Sequence, residues 1–212
     1  MKIITLAAQK GGCGKSALAI SCASLAVHNL KRVLILDADP QATTLQWKQA
    51  RNGRPPEVRE VLGHMLEDTL AGLRGFDYVF IDTAGQDHTV VAQAIRNAVF
   101  TLIPCRPTMA DVRAMVLTAS AARNLKGNFA FILTQVPTRG TRADETAAAL
   151  SELGEVAPVR ISARIVWQDA YAASMGVSEY EPNGPASREL GSLWRWLNAR
   201  LKGLKDASTT DD

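Results

Sequence analysis

Three short stretches hold the residues able to do chemistry. In "KGGCGKS", Lys10 to Ser16, three glycines, a lysine and a hydroxyl follow the apolar run "KIITLAA" at 2–8. Glycines carry no Cβ, so the backbone N–H groups of Gly11, Gly12, Cys13 and Gly14 can converge on an anion, and a helix starting there adds the positive end of its dipole. Lys15 then supplies an ammonium for the β and γ phosphates of a nucleotide, and Ser16 a hydroxyl for Mg2+. The ordinary spacing G-x-x-x-x-G-K-[ST] is not met, because Gln9 stands where its first glycine belongs, and Lys10 is one lysine more than such a loop needs. "DADPQ" at 37–41 and "DTAG" at 82–85 place Asp37, Asp39 and Asp82 where apolar runs end. Asp37 and Asp39 are expected on different faces of their strand, so that one of them addresses an attacking water.

The elements that must position these groups alternate between strand and helix. Strands are expected at 2–8, 32–39, 77–85, 99–105 and 128–135, with "PVRIS" (158–162) as a short last strand. Runs such as "RVLILDAD" and "DYVFIDTAG" are apolar almost throughout, as parallel strands covered on both faces are. Residues 14–30 read as a buried helix, and further helices are expected at 87–97, 109–125, 141–151, 164–175 and 186–203. This rhythm implies an α/β fold: a doubly wound, mostly parallel sheet with helices on both faces and ligands beyond the strands' carboxyl ends. One P-loop domain is expected over 1–205 and a polar, disordered tail over 206–212. With 47% hydrophobic and 21% charged residues the 212-residue chain can bury a sizeable core. No secretory leader or membrane-length apolar run is evident, so a cytoplasmic location is expected. Cys13, Cys22 and Cys105 lack metal-ligand spacing and read as buried or loop thiols.

"KGGCGKS", "DADPQ" and "DTAG", in that order, resemble the deviant Walker A ATPases of the ParA/MinD class, most closely the small ParA-type partition proteins. "IPCRPTMADVRAM" (103–115) and "ARIVWQDAYAASMGVSEYEPNGPASREL" (163–190) extend the likeness over nearly the whole chain. The resemblance implies ATP and Mg2+ as ligands, and a homodimer that sandwiches two nucleotides. In it Lys10 reaches the partner's nucleotide, while Lys15 serves its own together with the loop from Gly11 through Ser16 and Ala17. It gives Asp39 the attacking water, Asp37 a switch or outer metal role, and Asp82 the Mg2+ ion alongside Ser16. Gln41, Thr43 and Thr44 fall in a switch segment, and Gly85 is expected to let the loop after Asp82 move with the γ-phosphate; "DTAG" departs from the family's proline at this point. Adenine contacts are expected from "TQVPTRG", at Gln135 and Pro137.

The resemblance also implies weak ATPase activity stimulated by a cargo-bound, ParB-like partner, non-specific DNA binding by the ATP dimer, and a nucleoid-associated location. Candidate DNA contacts are Arg139, Arg142, Arg160, Arg164 and Arg188. A net charge of +3 does not by itself demand nucleic acid, so a basic patch must arise by folding. Because the chain opens almost directly on its first strand, operator binding through an N-terminal helix-turn-helix is not expected. One rival is a MinD-like membrane ATPase, since "LGSLWRWLNARLKGLK" spaces Leu190, Leu193, Trp194, Leu197, Leu201 and Leu204 on one helical face. Packing on the sheet produces the same pattern and is favoured, with membrane contact not expected. The other rival is a small-molecule ligase of the same superfamily, in which "DADPQ" has no role. An iron–sulfur reductase would need cysteines that are missing between Asp82 and Cys105.

Overall fold

The computed structural model describes residues 1–85 and 87–208. Among them, seven strands form one parallel sheet in the order β3-β2-β4-β1-β5-β6-β7. The central strands are β1 (Lys2–Leu6), β2 (Val33–Ala38), β4 (Tyr78–Thr83) and β5 (Phe100–Cys105). Every residue of β2, β4 and β5 is buried, as apolar runs covered on both faces require. Alternation divides each strand between two layers. Val33 and Ile35 of β2 face one helical layer, and Leu34 and Leu36 face the other.

The first layer holds α1 (Lys15–His28), α2 (Thr43–Gln49), α7 (Val166–Ala172), α8 (Val177–Tyr180) and α9 (Pro185–Ser208). The second holds α3 (Leu66–Gly72), α4 (His88–Asn97), α5 (Met109–Asn124) and α6 (Arg142–Ser151). Helix α1 is buried on nearly all sides, as its uniform apolarity implies, because it lies between the sheet and α8 and α9. The doubly wound parallel architecture is therefore the one expected.

Several elements differ from the sequence reading. The edge strand β3 (Glu57–Glu60) carries only Val58 inward, so its charged pattern hides it. Helices α2, α3 and α8 are too short to show a helical period. The last strand, β7, runs over Glu155–Ser162 rather than 158–162, with a register irregularity against β6 (Phe129–Val136) around Pro158. An edge strand tolerates a proline there, since its outer side has no ladder to feed. Pro104 lies within β5 beyond Leu102, its last residue paired with β1. Helix α9 continues to Ser208, so 206–208 are helical rather than tail, and 209–212 lie outside the described residues.

The apolar stripe of α9 is spent on the core. Leu190, Leu193, Leu197 and Leu201 are buried against the sheet. Trp194 packs 5.2 Å from the Tyr78 ring, whose hydroxyl donates to Asn198 Oδ1 at 2.6 Å. Among the described residues no helix is long and apolar enough to cross a membrane. Leu197→Ala should cost about 2–5 kcal/mol of folding free energy by leaving a cavity at the helix–sheet contact, measurable as a lower urea midpoint.

Candidate nucleotide site

The loop from Lys10 to Gly14 joins the carboxyl end of β1 to α1. Gly14, at φ +95°, occupies the left-handed region that favours glycine, and its carbonyl accepts the Leu18 N–H at 3.0 Å. The N–H groups ahead of Leu18 are thereby left for an anion. Strand β6 shapes the loop from behind. Thr134 Oγ1 donates to Cys13 O at 2.8 Å, and Gln135 Nε2 to Gly12 O at 2.6 Å. Gln135 itself sits at φ +50°, a conformation that costs a non-glycine residue about 1–2 kcal/mol and is held by its place in the site.

A cavity of about 820 Å³ opens above the loop. Gly11, Gly12, Gly14, Lys15, Ser16 and Ala17 form its floor, Asp39 and Gln41 one wall, and Gln135 another. The far wall, which the sequence reading left without a role, comes from the segment after β7, including Ile165, Trp167, Gln168 and Tyr171. Its signal was the dense "RIVWQDAY" directly behind a strand's carboxyl end. Pro137 does not reach this cavity; it lines a separate one of about 420 Å³ with Arg139 and Arg142, because the chain turns away after β6. Cys13 is packed into the core, and burial raises the pKa of its thiol. Burial likewise pushes Cys105 up to about 12, so neither thiol is an available nucleophile.

The carboxylates sit at different depths. Residues two apart on a strand share a face, so the expectation of opposite faces for Asp37 and Asp39 does not follow from the pleat. They part because β2 ends at Ala38. Asp37 is buried and accepts the Asp39 N–H at 3.2 Å and the Leu45 N–H at 2.9 Å. Desolvation raises its pKa against those hydrogen bonds. Asp39 lies beyond the strand on the cavity wall, with Oδ1 accepting the Gln41 N–H at 2.9 Å.

Asp82 stands opposite Asp37 in the β2–β4 register and opposite Leu6 in the β1–β4 register. It is fully buried, with Thr44 Oγ1 donating to Oδ2 at 2.8 Å and no partner at Oδ1. Burial pushes its pKa up to about 6, opposed by the Ser16 and Thr44 hydroxyls. An orphaned carboxylate oxygen near the loop serine fits Mg2+, which takes few protein ligands and keeps several waters. Among the described residues no group of three or more His, Cys, Asp or Glu could hold a metal by itself. Gly85 comes close to the backbone after β1: a Cβ there would meet Gln9 O at 3.0 Å and Ala8 O at 3.1 Å.

The two lysines are arranged differently. Lys15 is buried, its Nζ donating to Lys10 O at 3.2 Å. Lys10 Nζ lies 3.1 Å from Asp111 Oδ1, and Arg106 grips the same carboxylate through Nε at 2.5 Å and Nη2 at 3.1 Å. Burial tends to raise the Asp111 pKa, but these cations prevail and lower it.

With this geometry in hand, comparison with known proteins is decisive. The profile of the CobQ/CobB/MinD/ParA nucleotide binding domain matches residues 4–178. The chain belongs to this ParA/MinD family. Among relatives, it is 30% identical to Protein virC1 of Rhizobium rhizogenes over 190 residues, covering 82% of this chain and 80% of that one. It is 25% identical to maintenance of carboxysome distribution protein A of Gloeobacter kilaueensis, covering 94% of each. It is 31% identical to Protein ParA of Rhizobium radiobacter, where the match spans about half of each chain, 52% and 51%. The fold superposes on an AMPPNP-bound putative plasmid partition protein of Borrelia burgdorferi with a TM-score of 0.77 at 21% identity, covering 94% and 99% of the two chains. It superposes on the ATP complex of McdA from Cyanothece with the same TM-score, 0.77, at 18% identity, covering 93% and 96%. The site is thus that of a ParA/MinD-type nucleotide-binding ATPase.

In this ParA/MinD chain three of the five candidate DNA residues are engaged by partners within the chain. Arg160 pairs with Asp144 at 2.6 Å, and Arg188 donates to Asn183 O. Arg164 pairs with Glu189 at 3.0 Å and belongs to the nucleotide cavity. Arg139 and Arg142 share the smaller cavity.

The raised Asp82 pKa has a sign. The folded, metal-free protein holds more protons than the unfolded chain between pH about 4 and 6, so this group's contribution to stability falls as pH rises through that window. Above it the cost is about 3 kcal/mol. Asp82→Asn should therefore flatten the pH dependence of the melting temperature between pH about 4 and 6, raise it at pH 7 without nucleotide, and abolish the further stabilisation by Mg2+ with ATP.

Proposed function

We propose that this chain is a ParA-type partition or positioning ATPase whose ATP-bound form is a sandwich dimer with non-specific DNA affinity. A cargo-bound, ParB-like partner stimulates hydrolysis and thereby release. The observation that carries this reading is the pair of lysines around one glycine loop, with Asp39 on the wall of the same cavity. Lys15 and the first-turn N–H groups bind the phosphates of the chain's own nucleotide, and Asp39 orients a water toward the γ-phosphate. Ser16 and Asp82 would hold Mg2+, which would supply charge neutralisation for the phosphates. Lys10 of one subunit offsets charge on the partner's transferring phosphoryl group, so turnover requires the dimer. Gln135 and the Trp167–Gln168 wall face the space left for the base, which is read as adenine.

The buried stripe of α9 favours DNA over a bilayer as the surface. Dimerisation doubles a weak basic patch, to which Arg139 and Arg142 contribute, and so gives ATP control over DNA affinity. The cargo is plasmid DNA or another large body, and the place of action is the cytoplasm at the nucleoid.

Two measurements check this reading. Purified protein is tested for retention on random-sequence DNA and on anionic liposomes, with and without a slowly hydrolysed ATP analogue, at low and moderate salt. Analogue-dependent, salt-sensitive retention on DNA alone is expected; retention on liposomes would move α9 to a membrane role, and retention on neither would favour a small-molecule enzyme. Lys10→Ala should keep ATP binding yet lose dimerisation and at least about 100-fold in turnover, as removal of one charge-stabilising donor does. Unchanged turnover in that variant would sink the sandwich mechanism.

A further inference from the structure

Lys10 does not point toward the nucleotide cavity. Its ammonium is folded onto Asp111 of its own chain at 3.1 Å, at the start of α5 and outside the residues that line the cavity. Asp111 is a rigid acceptor. Its side chain has 0% exposure, and its backbone N–H is capped by Thr108 Oγ1 at 3.1 Å. Arg106 alone gives the carboxylate two hydrogen bonds, one to each oxygen, so departure of Lys10 leaves no bare charge in the interior. Lys10, by contrast, is 37% exposed and can leave at small cost.

The geometry points to Asp111, braced by Arg106, as a positioning residue that docks the Lys10 ammonium in the resting subunit and competes with the partner's phosphates for it. The inference rests on the sandwich reading above. The dock is also wired to the nucleotide. Lys15 Nζ and Cys13 Sγ both donate to the Lys10 carbonyl, at 3.2 and 3.3 Å. Phosphates that draw the Lys15 ammonium into the cavity remove one of these two tethers from the Lys10 backbone. Nucleotide arrival thus loosens the segment whose side chain must then change partners. A half-exposed ion pair sets a low threshold, about two- to five-fold in the equilibrium, which suits a contact that must yield in every cycle.

The test compares wild type, Asp111→Asn and Lys10→Ala as full chains. Unstimulated ATP turnover and analogue-dependent dimer formation are measured. The rate at which an amine-acylating reagent labels Lys10, relative to the exposed Lys31, is read by peptide mass spectrometry. In Asp111→Asn the amide no longer holds the ammonium, and Arg106, stripped of its counter-charge, repels it. Lys10 labelling, dimer formation and unstimulated turnover should each rise about two- to five-fold, whereas a merely structural aspartate would lower the melting temperature and raise none of them. Unchanged labelling and turnover in Asp111→Asn, with Lys10→Ala inactive, overturns the dock and leaves the sandwich reading standing. Full turnover in Lys10→Ala overturns both. Should Asp111→Asn fail to fold, wild type decides: nucleotide-free protein should label Lys10 more slowly than Lys31, and the difference should shrink as salt rises and screens the pair. A difference insensitive to salt overturns the dock.

Discussion

Two carboxylates buried side by side at the carboxyl ends of β2 and β4 constrain everything around them. Asp37 and Asp82 are register partners, both desolvated and both raised in pKa, and the charge of Asp37 adds to the rise at Asp82. Their oxygens have to be satisfied locally, and the start of α2 does it: the Leu45 N–H serves Asp37 and the Thr44 hydroxyl serves Asp82. One oxygen, Asp82 Oδ1, is left over and faces the loop serine's neighbourhood, which is where a divalent cation is of use. Burial of this carboxylate lowers the stability of the fold at neutral pH.

Fixing α2 to the carboxylates has consequences beyond the site. Trp47 Nε1 donates to Met175 O at 3.3 Å, and the buried Arg51 reaches Ser174 O at 2.7 Å and both oxygens of Glu179 at 2.9 Å. Tyr171, on the cavity wall, donates back to Thr43 O at 3.0 Å. Helix α2 with its flanking residues, the far wall of the cavity and α8 therefore form one hydrogen-bonded unit.

The glycine loop combines a stiff backbone with a movable charge. Thr134 and Gln135 hold two of its carbonyls from β6, and Gln135 accepts a left-handed backbone to do so. Preorganised donors lose little on binding an anion. Lys15 is enclosed and Lys10 half exposed, so one lysine belongs to the loop and the other can leave it.

By itself the sequence determined the class of the fold and the identity of the loop. Apolar runs without alternation demand parallel strands covered on both faces, and Gly14-Lys15-Ser16 between a strand and a helix admits few uses. It could not show the edge strand β3 or the short α2, whose inward faces rest on Val58 and on Thr44 with Trp47. It misplaced Pro137 and passed over the Trp167–Gln168 wall, because which loop turns toward the cavity depends on how β6 and β7 end rather than on local pattern. The partners of Lys10 and of Arg164 were equally hidden: Asp111 lies 101 residues from Lys10 and Glu189 lies 25 from Arg164. Local composition sets which segments become strand or helix. Pairing between distant charges is decided only when the sheet order brings the ends of β1 and β5 side by side.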